Sequence, residues 1–324
     1  MTDSVKMTVV TPVWNLFEKG RVETFRQTME SVRNQTYGNI EHIIINNNST
    51  DDTPKLIDEY VKKGWCSCHF QPIQGLWHAM QKGLEVASGE YVNFMNSDDY
   101  FCDDRAVEIA AKKLVEENAD MFYSGSNRIH QQGTVGYWWA DVWEFYVGVC
   151  PNHQSVWVRV KDALALGGFD FNYKLSLDDH MMRTFLFNNK KIVSVNKPLV
   201  SFRDGGWTSA QKGKEFIEDY VNHFYDKMGM SWGLTREECL EIRGFGVFER
   251  QSKAYCLDLA KKFQSEGFRE YYLKRLHEYF DNHTGIGYLF GFVPLLTAKV
   301  NFSGTKTKYY LFGCIPIYKT KKDW

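Results

Sequence analysis

The sequence contains no apolar run close to the roughly 20 residues that cross a bilayer, and neither sign of charge predominates. Its 39 Lys and Arg residues nearly balance its 40 Asp and Glu residues, which excludes a globally basic protein that binds nucleic acid. Residues Met1–Lys6 show no signal-peptide pattern. With 44 % hydrophobic and 24 % charged residues, the composition also excludes intrinsic disorder and a polytopic membrane protein. We therefore expect a soluble, cytoplasmic protein with no nucleic-acid partner.

The seven cysteines are odd in number and scattered, unlike those of a disulfide framework. Only Cys66, Cys68 and His69 lie close together, and no second pair of ligands follows them nearby. We therefore predict strand or core packing for this group, not a metal site. The length of 324 residues suits one large α/β domain with an appendage, or two domains.

The first 125 residues alternate short apolar runs with helical periods, which predicts an α/β fold with a mostly parallel central sheet flanked by helices. The predicted strands are Met7–Thr11, Ile40–Ile45, Glu90–Met95 and Ala119–Tyr123, and the predicted helices are Val22–Asn34, a segment ending near Lys63, Gly75–Ala87 and Arg105–Glu117. Ligands of such sheets bind at the carboxyl ends of the strands. We therefore expect the site among the polar segments Thr11–Asn15, Asn46–Asp52 and Asn96–Asp99.

The later part of the chain changes character near residue 210. Before that point we predict strands at Val156–Val160 and Lys191–Val195 and a helix at Asp178–Phe187. After it, we predict helices at Gln211–Met228, Thr235–Glu266 and Gly267–Asp281, and we expect no internal repeat. The chain thus divides into an α/β domain at 1–209, a mainly helical C-terminal region at 210–287 and an apolar-basic tail at 288–324.

The tail combines apolar, aromatic segments with an excess of lysine. Tyr288–Leu296 and Tyr309–Tyr318 are apolar and interrupted by Gly and Pro, and from Lys299 to Trp324 there are six Lys and one Asp. This composition favours peripheral contact with an anionic membrane surface. The alternative is a hairpin that packs on the body of the protein, with its lysines in solvent.

The tetrapeptide Asn96-Ser97-Asp98-Asp99 directly follows a predicted strand. Carboxylate and amide oxygens at a strand end are suitable ligands for Mg²⁺ or Mn²⁺, with phosphate oxygens completing the coordination shell. The alternative role is to cap the helix that begins near Arg105.

A second acidic pair, Asp178-Asp179, is followed by His180 at the start of a predicted helix. Adjacent carboxylates at this position can be partners of the helix dipole. They can also provide a general base, because a neighbouring negative charge raises the proton affinity of a carboxylate.

Eight motifs in order along residues 7–209 resemble those of the family 2 glycosyltransferases, which have the GT-A fold. They are Val9–Asn15 (VVTPVWN), Ser31–Tyr37 (SVRNQTY), Ile45–Thr53 (INNNSTDDT), Gly75–Gly83 (GLWHAMQKG), Gly89–Tyr91 with the Asp98 motif, His153–Ser155 (HQS), Gly167–Asp170 (GGFD) and Gly205–Ser209 (GGWTS). Each motif alone is weak, but eight in the family's order over two-thirds of the chain are specific.

The resemblance implies an inverting transferase that uses a nucleotide sugar. The nucleoside would be bound by Thr11, Pro12, Trp14, Asn46, Asn48 and Asp51, and the diphosphate region would be contacted by Lys82, Ser97 and Asp98. Asp98, aided by Asp99, would bind Mn²⁺ or Mg²⁺, and His153 is a further candidate metal or phosphate contact. Asp179 or Asp178 would remove the proton from the acceptor hydroxyl. His153 and His180 each have a structural role as the alternative.

The chain departs from the family pattern at two positions. Asn46 replaces an Asp that commonly contacts the base or the ribose, so the identity of the nucleotide stays open. Asn96 opens the metal motif, so that Asp98 carries more of the charge. An aromatic group between residues 137 and 146 would either face the acceptor or form core.

The resemblance thus predicts transfer from a nucleotide sugar, with a UDP-sugar favoured, to a glycan acceptor that could be lipid-linked, in the synthesis of a bacterial-type surface polysaccharide at the inner face of the cell membrane. Two rival interpretations are a non-catalytic glycan-binding or scaffold protein on the same fold and a sugar-phosphate nucleotidyltransferase. The second is disfavoured because the stretch from Thr11 to Arg21 contains only one Gly and one Arg, where that class needs a phosphate loop rich in both.

Overall fold

The computed structural model describes residues 5–72, 75–205, 214–289, 293–300, 307–311 and 315–320. The chain divides into two compact units, Met1–His223 and Phe224–Trp324. The boundary predicted after residue 209 lies a few residues before the last helix of the first unit. In the described residues, no helix combines the length and the apolar character that a membrane span requires.

The first unit alternates strands and helices. Its elements are β1 (Met7–Val13), α1 (Val22–Arg33), β2 (Ile40–Asn46), α2 (Thr53–Lys62), β3 (Ser67–Phe70), α3 (Leu76–Val86), β4 (Tyr91–Phe94), β5 (Tyr100–Phe101), α4 (Ala106–Glu116), β6 (Met121–Ile129), β7 (Val135–Trp138), β8 (Val156–Arg159), α5 (Val160–Ala165), α6 (Leu177–Phe187), β9 (Ile192–Arg203) and α7 (Lys214–Phe224). Short 3₁₀ helices lie at Val142–Val147 and His153–Ser155.

Nine strands form one sheet in the order β3-β2-β1-β4-β8-β6-β9-β5, with β7 paired to β6. Strands β3, β2, β1 and β4 are mutually parallel, whereas β8 runs antiparallel to β4. This confirms the predicted α/β fold with flanking helices. The sheet itself is mixed and not mostly parallel as predicted, because four of its eight strand pairs among the described residues are antiparallel, β4–β8, β6–β8, β6–β7 and β5–β9. Because β8 is reversed, its amino end lies at the same edge of the sheet as the carboxyl ends of β1, β2 and β4. That edge therefore receives residues 152–155 as well as the three loops predicted from the sequence.

Helices cover the sheet closely. Every residue of β1 is buried, as expected for a central strand that is covered on both faces. Phe25 of α1, Ile44 of β2 and Tyr60 of α2 share one apolar cluster, and Trp157 of β8 belongs to a second cluster with α4. Helix α3 approaches β1 at Gly83, where an added Cβ would lie 2.2 Å from Val10 Cγ1. Only glycine permits this contact, which fixes the helix that carries Lys82 against the sheet.

The second unit begins with a π-helical turn and short helices. Its elements are Tyr225–Gly229, α8 (Arg236–Ile242), a 3₁₀ turn at Arg243–Phe245, α9 (Val247–Arg250), α10 (Lys253–Ala260), α11 (Glu266–His283), β10 (Thr284–Leu289), β11 (Val293–Val300), β12 (Thr307–Leu311) and β13 (Ile315–Thr320). The predicted long helix over 235–266 is wrong. Gly244 interrupts it with a left-handed φ of 56°, and the Ser252 side chain starts a new helix by accepting a hydrogen bond from Tyr255 N.

The four C-terminal strands form an antiparallel meander, β10-β11-β12-β13. Its two outer hairpins share one sequence pattern, Tyr-Leu-Phe-Gly-x-Val/Ile-Pro-Leu/Ile, beginning at Tyr288 and again at Tyr310. In both hairpins the Tyr that begins the pattern is paired with the Pro of the same copy, and the pairing register of the two strands shifts next to that Tyr. The prediction that the chain has no internal repeat is therefore wrong. The repeat was overlooked because a copy of only eight residues is shorter than the usual repeat periods.

Candidate active site

The loop after β1 and the loop after β2 are joined through Asn15. Its backbone N–H donates to Ser49 Oγ at 2.9 Å, and its side-chain oxygen accepts from Thr50 N at 2.8 Å. Asn15 has a left-handed φ of 46°, a conformation that Asn tolerates better than most residues. The two predicted nucleoside-binding loops thus form one structure at the carboxyl edge of the sheet.

Asp51 and Asn46 use their side chains within these loops. The Asp51 carboxylate accepts from Phe17 N and Glu18 N, each at 3.0 Å, and from Thr53 N at 2.9 Å. Burial opposes ionisation of Asp51, but these hydrogen bonds outweigh it and lower the pKa of the carboxyl group. Asn46 Oδ1 accepts from Ser49 N at 2.9 Å, while its buried Nδ2 has no partner among the described residues. For both residues nucleotide binding stays a prediction.

The remaining predicted donor-site residues differ in exposure. Thr11 and Pro12 are buried in β1, and Thr11 Oγ1 lies 3.0 Å from His42 Nε2. Trp14 is 42 % exposed and lies beneath Lys19, whose Nζ is 4.8 Å from the ring centroid. Lys82 on α3 is half-buried and makes no hydrogen bond or ion pair to the described residues. Among these side chains Trp14 and Lys82 are the most available to a ligand, together with Asn48, which is exposed.

The two aspartates in the loop after β4, which we call the acidic loop, differ in their exposure and in their partners. Asp98 is only 17 % exposed, and its carboxylate forms an ion pair with Arg21 at 3.3 Å. Asp99 is buried and its carboxylate accepts from Gln154 Nε2 at 2.5 Å and from Arg203 N at 2.8 Å. Burial and the neighbouring charge of Asp98 raise the pKa of Asp99 to about 7, although the Arg203 and Gln154 donors oppose this. Ser97 is also buried.

We tested whether these residues fit a divalent ion. Within the described residues no three His, Cys, Asp or Glu side chains are grouped as a complete metal centre. Both Asp99 oxygens already accept hydrogen bonds, so Asp98 is the carboxylate that the loop offers. One carboxylate together with substrate phosphates is a usual ligand set for Mg²⁺, and the residues fit an ion held between Asp98 and a diphosphate.

The second acidic pair lies at the start of α6. Asp178 Oδ2 lies 2.7 Å from His153 Nδ1, and both side chains are nearly buried. Asp179 is half-buried and, like Asp178, lies near enough to the buried Cys150 thiol to raise its pKa, after the larger effect of burial. The structure thus gives Asp178 and Asp179 different surroundings, a distinction that the sequence left open.

Helix α6 is held in place by buried polar residues. His180 stacks on His223 with ring centroids 4.1 Å apart, and Arg183 lies 4.3 Å above the Tyr220 ring. Asp219 accepts from Lys174 N and Leu175 N at 3.1 and 3.0 Å, which ties down the segment just before the helix. For His180 these contacts favour the structural alternative.

The aromatic group at 137–146 is divided between core and surface. Phe145 and Tyr146 are buried, whereas Tyr137 is 50 % exposed. Trp138 donates from Nε1 to Cys150 O at 3.0 Å. The core interpretation therefore holds for Phe145 and Tyr146. Trp138, Trp139 and Trp143 are half-buried, and together with Tyr137 they are the members that a surface for an acceptor would use.

Sequence reasoning gave no site role to Arg21, Gln154 and Arg203. Arg203 donates from its guanidinium to Asp98 O and to the Gln27 side chain, so it fixes the backbone of the acidic loop. Gln154 belongs to the His153–Ser155 motif, but the motif does not indicate its contact. No local pattern predicts that these three residues contact the acidic loop, because each reaches it from a distant part of the chain.

The profile of the family described as "Glycosyl transferase family 2" matches residues 8–168. The chain carries a family 2 glycosyltransferase domain. The match includes the loops after β1 and β2, the acidic loop and His153, and it favours a glycosyltransferase over a sugar-phosphate nucleotidyltransferase. Helix α6, which carries Asp178 and Asp179, lies beyond the matched residues.

Curated relatives of the domain are bacterial glycosyltransferases. "Glycosyltransferase GlyA" of Streptococcus pneumoniae is 28 % identical over 218 residues, which is 61 % of this chain and 30 % of the relative. The "UDP-Glc:alpha-D-GlcNAc-diphosphoundecaprenol beta-1,3-glucosyltransferase WfaP" of Escherichia coli is 33 % identical over 112 residues, 32 % of this chain and 41 % of the relative. The matched stretch is thus less than half of each relative.

Solved structures share the fold. TarS of S. aureus superposes with a TM-score of 0.57 at 13 % identity, covering 94 % of this chain and 58 % of TarS. TarS 1-349 in complex with UDP-GlcNAc gives 0.53 at 13 % identity, over 98 % of this chain and 100 % of that chain. The mannosyltransferase PcManGT of Pyrobaculum calidifontis, in complex with GDP-Man and Mn²⁺, gives 0.51 at 15 % identity, over 69 % and 65 %. These likenesses establish the GT-A fold.

Proposed function

We propose that this protein is an inverting glycosyltransferase that moves a sugar from a nucleotide-sugar donor to a hydroxyl of a glycan acceptor. The observation that carries the proposal is the arrangement of two acidic pairs around one sheet edge, Asp98-Asp99 after β4 and Asp178-Asp179 at the start of α6. His153 and Gln154 are adjacent in the chain, and each contacts one of these pairs. This edge of the sheet therefore combines one acidic pair, which would hold a metal ion and the donor diphosphate, with a second acidic pair for the hydroxyl of the acceptor.

The donor would lie along the loops after β1, β2 and β4. Trp14 offers an exposed ring face, and Lys82 a cation that pairs with no described acid. Asp98 would hold Mn²⁺ or Mg²⁺, and such an ion stabilises the negative charge that develops on the leaving diphosphate. Arg21 pairs with Asp98 and would have to share that carboxylate with the metal ion.

Asp179 would accept the proton of the acceptor hydroxyl as its oxygen attacks the anomeric carbon. The bond to the diphosphate breaks in the same displacement, which inverts the anomeric centre. One base on the acceptor side suffices for this reaction, and it must be within hydrogen-bond reach of the hydroxyl. Asp178, whose carboxylate pairs with His153 at 2.7 Å, is the alternative base.

A UDP-sugar is the favoured donor. One solved neighbour binds UDP-GlcNAc and one relative is named for UDP-Glc, although PcManGT, with a similar TM-score, binds GDP-Man. A thermal-shift panel of UDP, GDP, CDP and dTDP, each with and without Mn²⁺, tests this choice. We expect a Mn²⁺-dependent rise in Tm with UDP. A rise in Tm with another nucleotide would assign the donor to that nucleotide's sugars. No rise with any nucleotide, together with no hydrolysis of donor sugars, would favour the scaffold alternative.

We further propose that the acceptor is lipid-linked and that the C-terminal sheet contacts the anionic inner face of the cell membrane, as in surface polysaccharide synthesis. The strand register places Lys299 opposite Lys308, and Lys308 opposite Lys319. Like charges at directly opposite positions of paired strands repel each other, which destabilises the sheet. Binding to an anionic surface would offset this repulsion.

Cosedimentation with vesicles tests the membrane proposal. The wild type should sediment with vesicles that contain phosphatidylserine and not with pure phosphatidylcholine, and replacing the three lysines by Gln should abolish the difference. A matched control replaces three exposed lysines elsewhere, Lys55, Lys112 and Lys261. If the wild type and the variant of Lys299, Lys308 and Lys319 sediment equally, the membrane proposal is contradicted and packing on the protein is the favoured role of the tail.

A further inference from the structure

The dipeptide His153-Gln154 contacts both acidic pairs of the site. His153 Nδ1 lies 2.7 Å from Asp178 Oδ2 at the start of α6, and Gln154 Nε2 donates to Asp99 Oδ2 at 2.5 Å in the loop after β4. The two contacts bridge 25 and 55 residues of sequence. The dipeptide forms a 3₁₀ turn, in which successive side chains project about 120° apart, so that neighbours can reach different loops.

The turn itself is anchored to the sheet. The buried side chain of Asn93 in β4 donates from Nδ2 to Gln154 O and to Val156 O, both at 2.8 Å. Asn152 donates from its side chain to Ser126 Oγ at 2.8 Å, and Ser155 Oγ donates back to Asn152 O at 2.7 Å. Both contacts of the dipeptide are therefore made from a fixed platform on β4 and β6.

We infer that His153 and Gln154 form a brace that holds one acid of each pair, Asp178 and Asp99, and so sets the spacing between the donor-binding loop and the base helix. In this arrangement Asp178 and Asp99 are positioning residues. Their neighbours Asp179 and Asp98, which the brace does not contact, carry the chemistry. This inference rests on the proposed function for the roles of Asp98 and Asp179, but the brace contacts themselves do not.

The hydrogen-bond chemistry of the contacts supports this division. An ionised carboxylate can only accept, so the Nδ1 of His153 carries the proton shared with Asp178. In a neutral imidazole this leaves a lone pair on Nε2, and that atom is buried without a partner among the described residues. A buried acceptor without a partner is costly, and the Asp178 contact is what keeps the ring in this orientation. Asp99 is engaged through both of its oxygens.

The two contacts predict different losses. His153→Gln and Asp178→Asn should each lower kcat by about 10- to 100-fold, as losses of supporting partners usually do, with donor KM and the nucleotide-induced rise in Tm kept. Gln154→Met keeps the side-chain volume but removes the donor to Asp99. It should weaken the nucleotide-induced rise in Tm, because the loop that carries Asp98 loses a contact.

Double-variant measurements test whether His153 and Asp178 act as a unit. If the two residues act only through their contact, the second substitution has nothing further to remove. The kcat of the double variant His153→Gln/Asp178→Asn should therefore equal that of the slower single variant, and its urea midpoint should equal that of the less stable single variant. The matched control is His130 with Asp204, a similar pair at 2.6 Å whose residues directly follow β6 and β9, and whose Gln and Asn variants should leave kcat unchanged.

Two outcomes would overturn the brace. If Asp178→Asn abolishes transfer while Asp179→Asn does not, Asp178 is the base. If the effects of His153→Gln and Asp178→Asn multiply in kcat and add in the urea midpoint, the two residues act independently. Absence of any wild-type transfer or nucleotide response would contradict the proposed function alone, because the urea midpoints test the brace without activity.

Discussion

Charged residues cluster at both ends of strand β4, and the two clusters differ in how deeply their acids are buried. At the amino end the buried Arg159 contacts Glu90, Asp120 and Asp162, which are 45 %, 23 % and 13 % exposed. At the carboxyl end Asp99 is buried against amide donors, and its pKa rises to about 7. A buried cation that contacts partly exposed acids is typical of a structural ion-pair network, whereas a buried acid with a raised pKa at a sheet edge is a candidate for function.

The largest effect should come from the proposed base. Asp179→Asn should lower transfer at least about 100-fold, because the amide cannot accept the proton of the acceptor hydroxyl. Metal-dependent nucleotide binding should be kept, since the donor-binding loops are intact. Single-turnover transfer assays with nucleotide thermal shifts measure both, and Asp178→Asn provides the comparison. Transfer at the wild-type rate would move the base elsewhere.

The next effect concerns the donor side of the same edge. Asp98→Asn should remove most of the response of nucleotide binding to Mn²⁺, because a neutral amide is a much weaker ligand of hard cations. Titration calorimetry with the nucleotide, with and without Mn²⁺, measures this response. An unchanged dependence on Mn²⁺ would show that another residue holds the ion.

The Arg159 cluster should matter for stability and little for chemistry. Arg159→Met removes the buried guanidinium that three partly exposed acids share, and it should lower the free energy of unfolding by about 2 kcal/mol in urea titrations. Arg21→Met is the control, because its ion pair to Asp98 is 41 % exposed on the Arg side. It should cost no more than about 1 kcal/mol. Equal losses would contradict the contrast between the two ends.

The smallest effect should appear as a pH dependence of stability. Burial lowers the pKa of His42 to about 3, so the folded chain keeps this ring neutral while the unfolded chain takes up a proton below about 6.5. Stability should therefore fall as the pH is lowered from 6.5. Hydrogen bonds from Ser88, Thr8 and Lys6 outweigh burial and lower the pKa of Glu41 to about 2, which adds a loss below its usual value of 4.5. Urea titrations of wild type and His42→Gln between pH 6.5 and 4.5 isolate the histidine, and parallel curves would contradict this account.

Local sequence was sufficient for most elements of the first unit and for the position of its site. The buried strand at Met7, the Ile-rich strand at Ile40 and the turn residues that follow them carry their structural signal within a few residues. Two errors lie in the second unit, although their signals are local as well. The helix expected over 235–266 is interrupted at Gly244, and the matching octapeptides at Tyr288 and Tyr310 form hairpins with the same register.

The sequence by itself determined that the chain has a family 2 glycosyltransferase domain and that acids follow β4 and begin α6, because strand periods and strand-end motifs are local. Tertiary structure alone decided the partners of the members of each acidic pair. Asp178 meets His153 across 25 residues, and Asp99 meets Gln154 and Arg203 across 55 and 104 residues. Adjacent aspartates are nearly equivalent in a sequence. They become different only when the fold gives each of them its own partners.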